Sequence, residues 1–420
     1  MQISINYGDK QLTLELPKNV SLDEYEYMNR EVPFDFSALN SALKDEETGL
    51  FPLSSADLYV VNDAYRHTPT GQILTWLDDN GHINDRALFI VAAGCHQAPT
   101  ETQLRKIFGR QYDIFKSRIV VHDARDRGRM VKQGEDASGY PVYINRHLFE
   151  ARHIVVIGSV EPHYFAGFTG GRKSIFPGLC DYDTTVRNHA RAVSFEAAPM
   201  CLEGNPVAED LEALMQLVAD KLIFSIQVVA VPGGEIAGIF CGNIKDSFGK
   251  AALLAENIFG VRSDHNYDLI LGEVRPPLDS NLYQLQKSLE NCQTALKDGG
   301  TIILFSPCYE GIGSESFYKL ADSWNSEPDC GRANLDRFGV HKLHRVEQIA
   351  ERTHVYLHSD LPDGVSDKVF FKSVREPQAL LNNIVKEGMI IKAALIRDAG
   401  QTVLTVRQKV GFNKQNVEEK

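Results

Sequence analysis

The run Ile154-Val155-Val156-Ile157 is one of four short, nearly continuous apolar runs in the first half of the chain. The other three are Leu58-Tyr59-Val60-Val61, Ala87-Leu88-Phe89-Ile90-Val91 and Ile119-Val120-Val121. Helical patterns separate several of these runs. One such helical pattern begins at Thr100, with Gln103 in capping-box spacing. Continuous β-branched runs that alternate with helices indicate parallel strands covered on both faces.

A second series of apolar runs follows in the later part of the chain. Its members are Leu222–Val231, Leu269-Ile270-Leu271, Thr301–Phe305 and Val355-Tyr356-Leu357, with a predicted helix at Leu282–Leu296 among them. Two series of this kind predict an α/β protein of two domains, each with a mainly parallel sheet flanked by helices. We expect the active site in the cleft between these domains.

The domain boundary is predicted where the first series ends. Residues 1–265 are expected to form the N-terminal domain and residues 266–399 the C-terminal domain. The segment 400–420, which contains the strand-like run Thr402–Val406, is expected to return to the first domain. At the other end, two period-two runs around Gly8-Asp9 predict a hairpin.

Composition and charge argue against several classes of protein. The chain has 420 residues, with 44 Lys and Arg against 56 Asp and Glu, so its formal net charge is −12. This acidic balance argues against nucleic acid as the main partner, because phosphate binding needs a basic face. No apolar run approaches the ~18 residues of a membrane span, and the seven cysteines are scattered without a Cys-x-x-Cys pair. We therefore expect a cytoplasmic protein with reduced thiols, no membrane partner and an oligomeric state that the sequence leaves open.

Polar residues follow three of the predicted strands. Asp63 and Arg66 come after the first strand, His96 after the second, and His163 after the fourth. Ligands of open parallel sheets bind beyond the carboxyl ends of the strands. A single histidine in such a place is commonly a solvated or capping residue, but the three strand ends together favour a functional site.

The segment Gly167–Ser174 has the sequence GFTGGRKS and resembles a phosphate loop. It is not a Walker A motif, because Arg172 stands where that motif has glycine before the lysine, here Lys173. The segment is either a tight turn with solvated charges or a cationic loop whose backbone can approach an anionic cofactor closely. A G-x-G-x-x-G motif is absent from the ends of the first strands, which argues against a nicotinamide dehydrogenase.

A predicted helix in the second half carries a further candidate pair. Asp279 or Ser280 can serve as its N-cap. Tyr283 and Lys287 are four residues apart and share a face. The helix is either an ordinary amphipathic one or offers a phenol and a cation to the cleft between the domains.

Taken together, these motifs resemble the lactate racemase family, whose enzymes depend on a nickel-pincer nucleotide. The resemblance runs from roughly Asp57 to Tyr318, and the string from His163 to Ser174 is specific because no common fold requires it. The motifs that carry it are Asp63-x-x-Arg66, Gly94-Cys95-His96, His163–Ser174, His189 and Leu278-Asp279-x-x-x-Tyr283-x-x-x-Lys287.

The resemblance implies a cofactor and its attachment. Lys173 would form a thioamide link to pyridinium-3,5-bisthiocarboxylic acid mononucleotide, which holds nickel. His189 would ligate the metal beside the sulfur–carbon–sulfur donors of the cofactor, a near-square-planar set that suits Ni(II). The first domain would then be the catalytic and cofactor-binding one, matured by cofactor-building enzymes of the cell.

The resemblance also implies a reaction, the racemisation or epimerisation of a small-molecule 2-hydroxy acid. His96 and His163 would be the paired acid/bases, because an imidazole with a pKa of about 6.5 can both take and give a proton near neutral pH. Hydride would move to the cofactor and return to the opposite face of a planar 2-oxo acid. The other residues implied are Asp63, Gly170, Gly171, Arg172 and Ser174 for the cofactor, and Arg66, Tyr283, Gln284 and Lys287 for the substrate.

One motif differs from the family pattern. Lactate-specific members carry Ser-Asp-His-Thr-Arg-Pro where this chain has Asn62–His67, and the bulkier Tyr65 favours a substrate other than lactate. The alternatives are an epimerase of a sugar acid or hydroxy diacid, a carrier of the nickel cofactor without turnover, and a zinc-dependent hydrolase using His96, His163 and His189. A diacid would need extra cations, for which the candidates are His341, Lys342 and His344.

Overall fold

The chain divides into two compact units in a computed structural model. The larger unit comprises Met28–Phe259 and Ser314–Gln348. The smaller unit comprises Met1–Tyr27, Gly260–Gly313 and Ile349–Lys420. The structure describes residues 1–28, 39–41, 43, 52–64, 66, 68–231, 235–326, 339–385 and 389–406.

The larger unit is built on a six-stranded sheet. Its strands, in spatial order, are Ile236–Asn243, Leu222–Ala230, His153–Ser159, Leu58–Asn62, Leu88–Ala92 and Ile119–Val121. Only the first pair in this order is antiparallel; the other four pairs are parallel. After Leu58–Asn62 the chain adds the strands Leu88–Ala92 and Ile119–Val121 toward one edge of the sheet. It then returns and adds His153–Ser159 and the remaining two strands toward the other edge, so the strand order reverses beside Leu58–Asn62. Such a switch point is where ligands bind in open α/β sheets.

Both faces of this sheet are covered, as the continuous apolar runs predict. Alternate residues of each strand point to opposite faces. Val61 and Val155 belong to one buried cluster, and Val60 and Val156 belong to another. The helices that begin in this unit are Thr70–Asp79, Glu101–Phe108, Tyr112–Phe115, Arg146–Glu150, Tyr182–Ala190, Pro206–Met215, Ile244–Phe259, Glu315–Ser326 and Val340–Arg352.

Short ladders and caps complete the larger unit. Met130–Glu135 pairs with Pro141–Asn145, and Pro162–His163 pairs with Gly167–Phe168, both antiparallel. The capping box predicted at Thr100 is present: its hydroxyl accepts from the backbone of Gln103, whose side chain accepts in return. Among the described residues, no helix combines the length and apolarity that a membrane crossing requires.

The smaller unit holds a second six-stranded sheet, in which every pair is parallel. In spatial order its strands are Lys372–Ser373, His354–His358, Leu296–Phe305, Tyr267–Glu273, Ile391–Ile396 and Val20–Tyr25. The hairpin strands Gln2–Tyr7 and Lys10–Glu15 pair antiparallel, and Gly260–Ser263 pairs with Val403–Val406. The α-helices that begin here are Leu282–Gln293 and Pro377–Ile384.

The N-terminal segment differs from the predicted division at residue 265. The hairpin forms as predicted, but residues 1–27 belong to the smaller unit, because Val20–Tyr25 is an edge strand of its sheet and Ile5 is buried with Leu269 and Ile303. The strand Val403–Val406 also lies in the smaller unit. Residues 407–420 of the predicted returning segment lie outside the described residues.

Candidate active site

A cavity of about 130 Å³ lies at the carboxyl edge of the larger sheet, beside the switch point. It brings together eight of the residues that the sequence predicts for the site. These are Asp63, Arg66, His96, His163, Gly170, Lys173, Ser174 and His189. The cavity is also lined by Asn62, Ala92, Ala93, Gly94, Cys95, Thr169, Pro177, Gly178 and Thr185.

His96 is oriented by a carboxylate. It follows the strand Leu88–Ala92, and its Nδ1 lies 2.6 Å from Oδ2 of Asp63, which follows the neighbouring strand. The carboxylate accepts, so Nδ1 carries the hydrogen and Nε2 of the neutral ring keeps its lone pair. Asp63 is thus a partner of His96, the predicted acid/base, a contact that the sequence does not specify.

His163 is fixed by the short ladder and by its aromatic neighbours. Its Nδ1 accepts a hydrogen bond from the backbone N–H of Ala166 at 3.3 Å. Its ring stacks on Tyr164, with 5.0 Å between centroids, and meets the edge of Phe165 at 4.5 Å. In the neutral ring the hydrogen therefore lies on Nε2, the opposite tautomer to that of His96.

The glycine loop allows the backbone to pass close to buried groups. Gly170 has a φ of +73°, and a Cβ placed on it would lie 2.6 Å from the carbonyl oxygen of Ser159. Gly171 has a φ of +50°, and its Cβ would lie 2.5 Å from the ring of Phe248. Only glycine satisfies both the backbone conformation and the space at these two positions. The short helix Gly171–Ser174 follows and carries Lys173 to the cavity.

The amine of Lys173 has an unusual environment. Burial, together with the positive charges of Arg66 and Arg172, lowers the pKa of Lys173 to about 7. A lysine amine is nucleophilic only when it is unprotonated. Near neutral pH a large fraction of this amine is therefore ready to form a covalent bond.

His189 lies on the helix Tyr182–Ala190, whose N-cap Asp181 accepts from the backbone of Thr184. Burial lowers the pKa of His189 well below its ordinary value, and His341, Lys173 and His96 add to the effect. The imidazole is therefore neutral, which is the form that ligates a metal ion.

Two residues predicted to bind the cofactor do not line the cavity. The guanidinium of Arg172 lies over the ring of Phe248, 4.7 Å from its centroid, and its Nε is 3.2 Å from Glu212. The N–H of Gly171 donates to the side chain of Gln227 at 2.9 Å. Through these contacts both residues hold the loop in place without lining the cavity.

The candidate cations for a diacid occupy other positions. His341 is buried between the rings of Phe165 and His189, each 5.3 Å away by centroid. Burial, and then Lys342 and Arg345, lower the pKa of His341 to about 3, so this ring is uncharged. Lys342 lies 5.6 Å from the ring centroid of Tyr164. Neither His341 nor His344 lines the cavity.

The predicted substrate residues Tyr283, Gln284 and Lys287 lie on the helix Leu282–Gln293 of the smaller unit. All three are partly exposed on a helix that is otherwise largely buried. The N-cap of this helix is Asn281 rather than the predicted Asp279 or Ser280, because those two residues form a preceding turn. The role of the three residues in substrate binding stays a prediction.

No role was expected for Glu161, which is buried and pairs with Arg66. The signal for it was its position directly after the apolar run that ends at Val160. The contact of His341 with His189 was not predictable in the same way, because no pattern joins two residues so distant in the chain.

The fold and the cavity define a two-unit α/β enzyme in which three histidines and a lysine line one site. Residues 7–200 match the lactate racemase N-terminal domain, and residues 269–334 match the lactate racemase C-terminal domain. The lactate racemase of Lactiplantibacillus plantarum is 30% identical over 323 residues, which are 74% of this chain and 76% of that protein. The lactate racemase of Thermoanaerobacterium thermosaccharolyticum is 31% identical over 267 residues, 62% of each protein.

Solved structures agree with this result. The lactate racemase apoprotein from Thermoanaerobacterium thermosaccharolyticum superposes with a TM-score of 0.84 at 25% identity, over 97% of this chain and all of that one. A protein from Thermotoga maritima shares the fold, with a TM-score of 0.64 at 16% identity over 83% of this chain and 93% of its own. The chain belongs to the lactate racemase family, which confirms the resemblance and makes it an isomerase.

Proposed function

We propose that this enzyme racemises or epimerises a 2-hydroxy acid by reversible hydride transfer, with a nickel-pincer nucleotide attached to Lys173. The observation that carries the proposal is the convergence on one cavity of His96, His163 and Lys173, whose amine has a lowered pKa. Two acid/bases are what inversion of a secondary alcohol carbon requires, because the hydroxyl proton must be taken and returned on both faces.

The residues present fit the cofactor that the family implies. The lowered pKa of Lys173 suits condensation with a carboxyl or thiocarboxyl group. The neutral imidazole of His189 can donate to nickel. No group of three or more His, Cys, Asp or Glu side chains within the described ranges could hold a metal ion. A nickel site with one protein ligand, His189, beside donors from a cofactor does not need a group of three such side chains. A zinc hydrolase would need one.

Proton transfer follows from the two tautomers. The Nε2 lone pair of His96 would take the hydroxyl proton of a substrate, and the carboxylate of Asp63 would stabilise the imidazolium that forms. When bound, the cofactor supplies a reversible acceptor for the hydride at C2. Return of the hydride to the opposite face of C2 would be accompanied by proton donation to the oxygen from His163 in its protonated, imidazolium form, so the cycle would begin with His96 neutral and His163 protonated. The reverse direction exchanges the two roles.

Arg66 supplies the recognition of the substrate carboxylate. It lines the cavity, and a planar guanidinium binds a carboxylate with two parallel hydrogen bonds. We expect a substrate other than lactate because of Tyr65, which lies outside the described residues. A diacid is less well supported, because His341 is uncharged and buried and none of His341, Lys342 and His344 lines the cavity.

The proposal is tested with protein co-expressed with cofactor-building enzymes. Incubation with single-enantiomer 2-hydroxy acids, including lactate, sugar acids and hydroxy diacids, should abolish optical rotation for an acid whose stereochemistry lies at C2 alone, or change the rotation to that of a mixture of epimers for a sugar acid, in one class only. His96→Ala or His163→Ala should each reduce racemisation in both directions by about 10²–10⁴-fold. The exposed His354 provides a control, since His354→Ala should keep full activity. Turnover that survives both active-site changes would contradict the proposal and favour another site, whereas matured protein that holds the cofactor and converts none of these acids would favour a cofactor carrier.

A further inference from the structure

The buried residue Glu161 is joined through its backbone to the glycine loop. Glu161 is only 6% exposed. Its backbone N–H donates to the hydroxyl of Thr169 at 3.0 Å, and its carbonyl accepts from the N–H of Thr169 at 2.9 Å. Thr169 precedes the glycine pair of the loop and itself lines the cavity. The position of Glu161 is therefore tied to the same loop that carries Lys173.

Arg66 is bound to the carboxylate of Glu161 through one nitrogen of its guanidinium, Nη1. Nη1 of Arg66 donates to Oε1 of Glu161 at 2.8 Å, and the arginine side chain is 27% exposed. Glu161 is the one carboxylate among the described residues within ion-pair distance of Arg66. A guanidinium has five N–H donors in a rigid plane. Once Nη1 is engaged, the plane is oriented and the remaining edge can meet a second carboxylate.

We propose that Glu161 is a positioning residue for substrate binding: it orients the guanidinium of Arg66 so that the free edge receives the substrate carboxylate. The inference rests on the proposed function in taking a carboxylate as the group that Arg66 binds. A mobile arginine must lose its side-chain freedom when it binds, whereas one already held by Glu161 has lost it beforehand. Removal of the Glu161 charge should therefore weaken carboxylate binding and affect the chemical step much less.

The experiment measures carboxylate binding at Arg66 without turnover. Full-length protein is treated with phenylglyoxal, which modifies arginine, and modification of Arg66 is followed by peptide mass spectrometry at increasing concentrations of glycolate. Glycolate is a 2-hydroxy acid without a stereocentre, so racemisation is not needed for the readout. The variants are Glu161→Gln, which keeps the shape but removes the charge, and Glu161→Asp, which keeps the charge. Glu101→Gln is the matched control, since Glu101 pairs with Arg105 on the surface.

Wild-type protein and Glu101→Gln should be half-protected at the same glycolate concentration. Glu161→Gln should need about tenfold more, and Glu161→Asp should recover part of this loss. In the matured enzyme, Glu161→Gln should raise KM about tenfold and change kcat less than about threefold, whereas a merely structural role would lower the active fraction at unchanged KM. Equal protection of Glu161→Gln and wild type, or no protection of Arg66 in wild type, would overturn the inference.

The two proposals fail in different ways. Protection of Arg66 that depends on Glu161 in a protein that racemises no 2-hydroxy acid would overturn the proposed function alone. Racemisation with unchanged KM in Glu161→Gln would overturn the positioning role alone. If Glu161→Gln does not fold, as judged by its thermal unfolding, Glu161→Asp carries the test, and its half-protection should lie above that of wild type by a factor of at least about two.

Discussion

The Lys173 amine shows how strongly local structure can change one residue. Its sequence context, two glycines and an arginine, marks a loop but does not specify how deeply the amine is buried. In the structure, burial and two neighbouring guanidinium groups bring its pKa to about 7. The same environment that makes the amine reactive toward a cofactor also makes it costly to protonate. Under the proposed function, this residue would link maturation of the enzyme to the stability of its apoprotein.

The free energy of unfolding of the apoprotein should carry a contribution from Lys173 that depends on pH. The pKa is about 7 in the folded state, against 10.5 for an ordinary lysine, so the unfolded chain binds more protons between these values. The contribution of Lys173 to the free energy of unfolding therefore rises as pH increases from about 7 toward 10, and the protein loses this stability as pH falls. Urea unfolding at several pH values should show a steeper rise for wild type than for Lys173→Met. Parallel curves for the two proteins would contradict the lowered pKa.

Asp63 gives a second prediction at this scale. Asp63→Asn removes the charge that stabilises the His96 imidazolium, so kcat of the matured enzyme should fall by at least about tenfold while KM changes little. Steady-state kinetics in both directions provide the measurement. The control is Asp79→Asn, since Asp79 pairs with Arg110 on the surface. A loss confined to KM would show that Asp63 serves substrate binding instead.

Among the structural elements, the glycine loop controls the geometry of the site. It runs from the short ladder at Pro162–His163 to the helix Gly171–Ser174, and thus connects His163, the proposed acid/base, to Lys173, the proposed site of cofactor attachment. The sequence predicted this loop and its neighbouring strand ends, because apolar runs and glycine clusters are local patterns. The contacts that complete the site were not predictable. Arg66 with Glu161, and His189 with His341, join distant segments whose meeting depends on the folded sheet.

Gly170→Ala should disturb the loop. A Cβ there would lie 2.6 Å from a backbone oxygen, on a residue with a φ of +73°. We expect a loss of about 1–3 kcal/mol in the free energy of unfolding and a lower yield of the Lys173 adduct in matured protein. Gly249 lies in a helix with open space around its Cβ position. Gly249→Ala should therefore be neutral or stabilise by up to about 1 kcal/mol. Equal thermal stability of both variants would contradict the close approach at Gly170.

At the scale of the whole molecule, the first residues of the chain belong to the sheet formed by its later part. Local patterns predicted the hairpin strands correctly, yet they assigned them to the first domain, since sequence order was the only guide to domain membership. Parallel pairing of Val20–Tyr25 with Ile391–Ile396 connects segments at opposite ends of the sequence. Such pairing depends on how buried surfaces fit together in the folded protein, and a single sequence does not show this fit.

Ile5→Ala tests this assignment. Ile5 is fully buried with Leu269, Leu271 and Ile303. Truncation should cost about 2–5 kcal/mol. Hydrogen exchange should show lost protection in the strands Tyr267–Glu273 and Leu296–Phe305, with the strand Leu58–Asn62 unaffected. Ile114→Ala, at a position that is 58% exposed, is the control and should change stability little. Lost protection in the larger sheet instead would contradict the unit boundaries.

The fate of hydrogen at C2 tests the central claim, that a 2-hydroxy acid is inverted by hydride that leaves and returns. A single enantiomer of the preferred 2-hydroxy acid, carrying deuterium at C2, is incubated with matured enzyme in ordinary water and followed by NMR and chiral chromatography. The account predicts that the opposite enantiomer forms with its deuterium retained. Formation of that enantiomer with deuterium exchanged for solvent hydrogen would mean that C2 loses a proton, and would contradict the account.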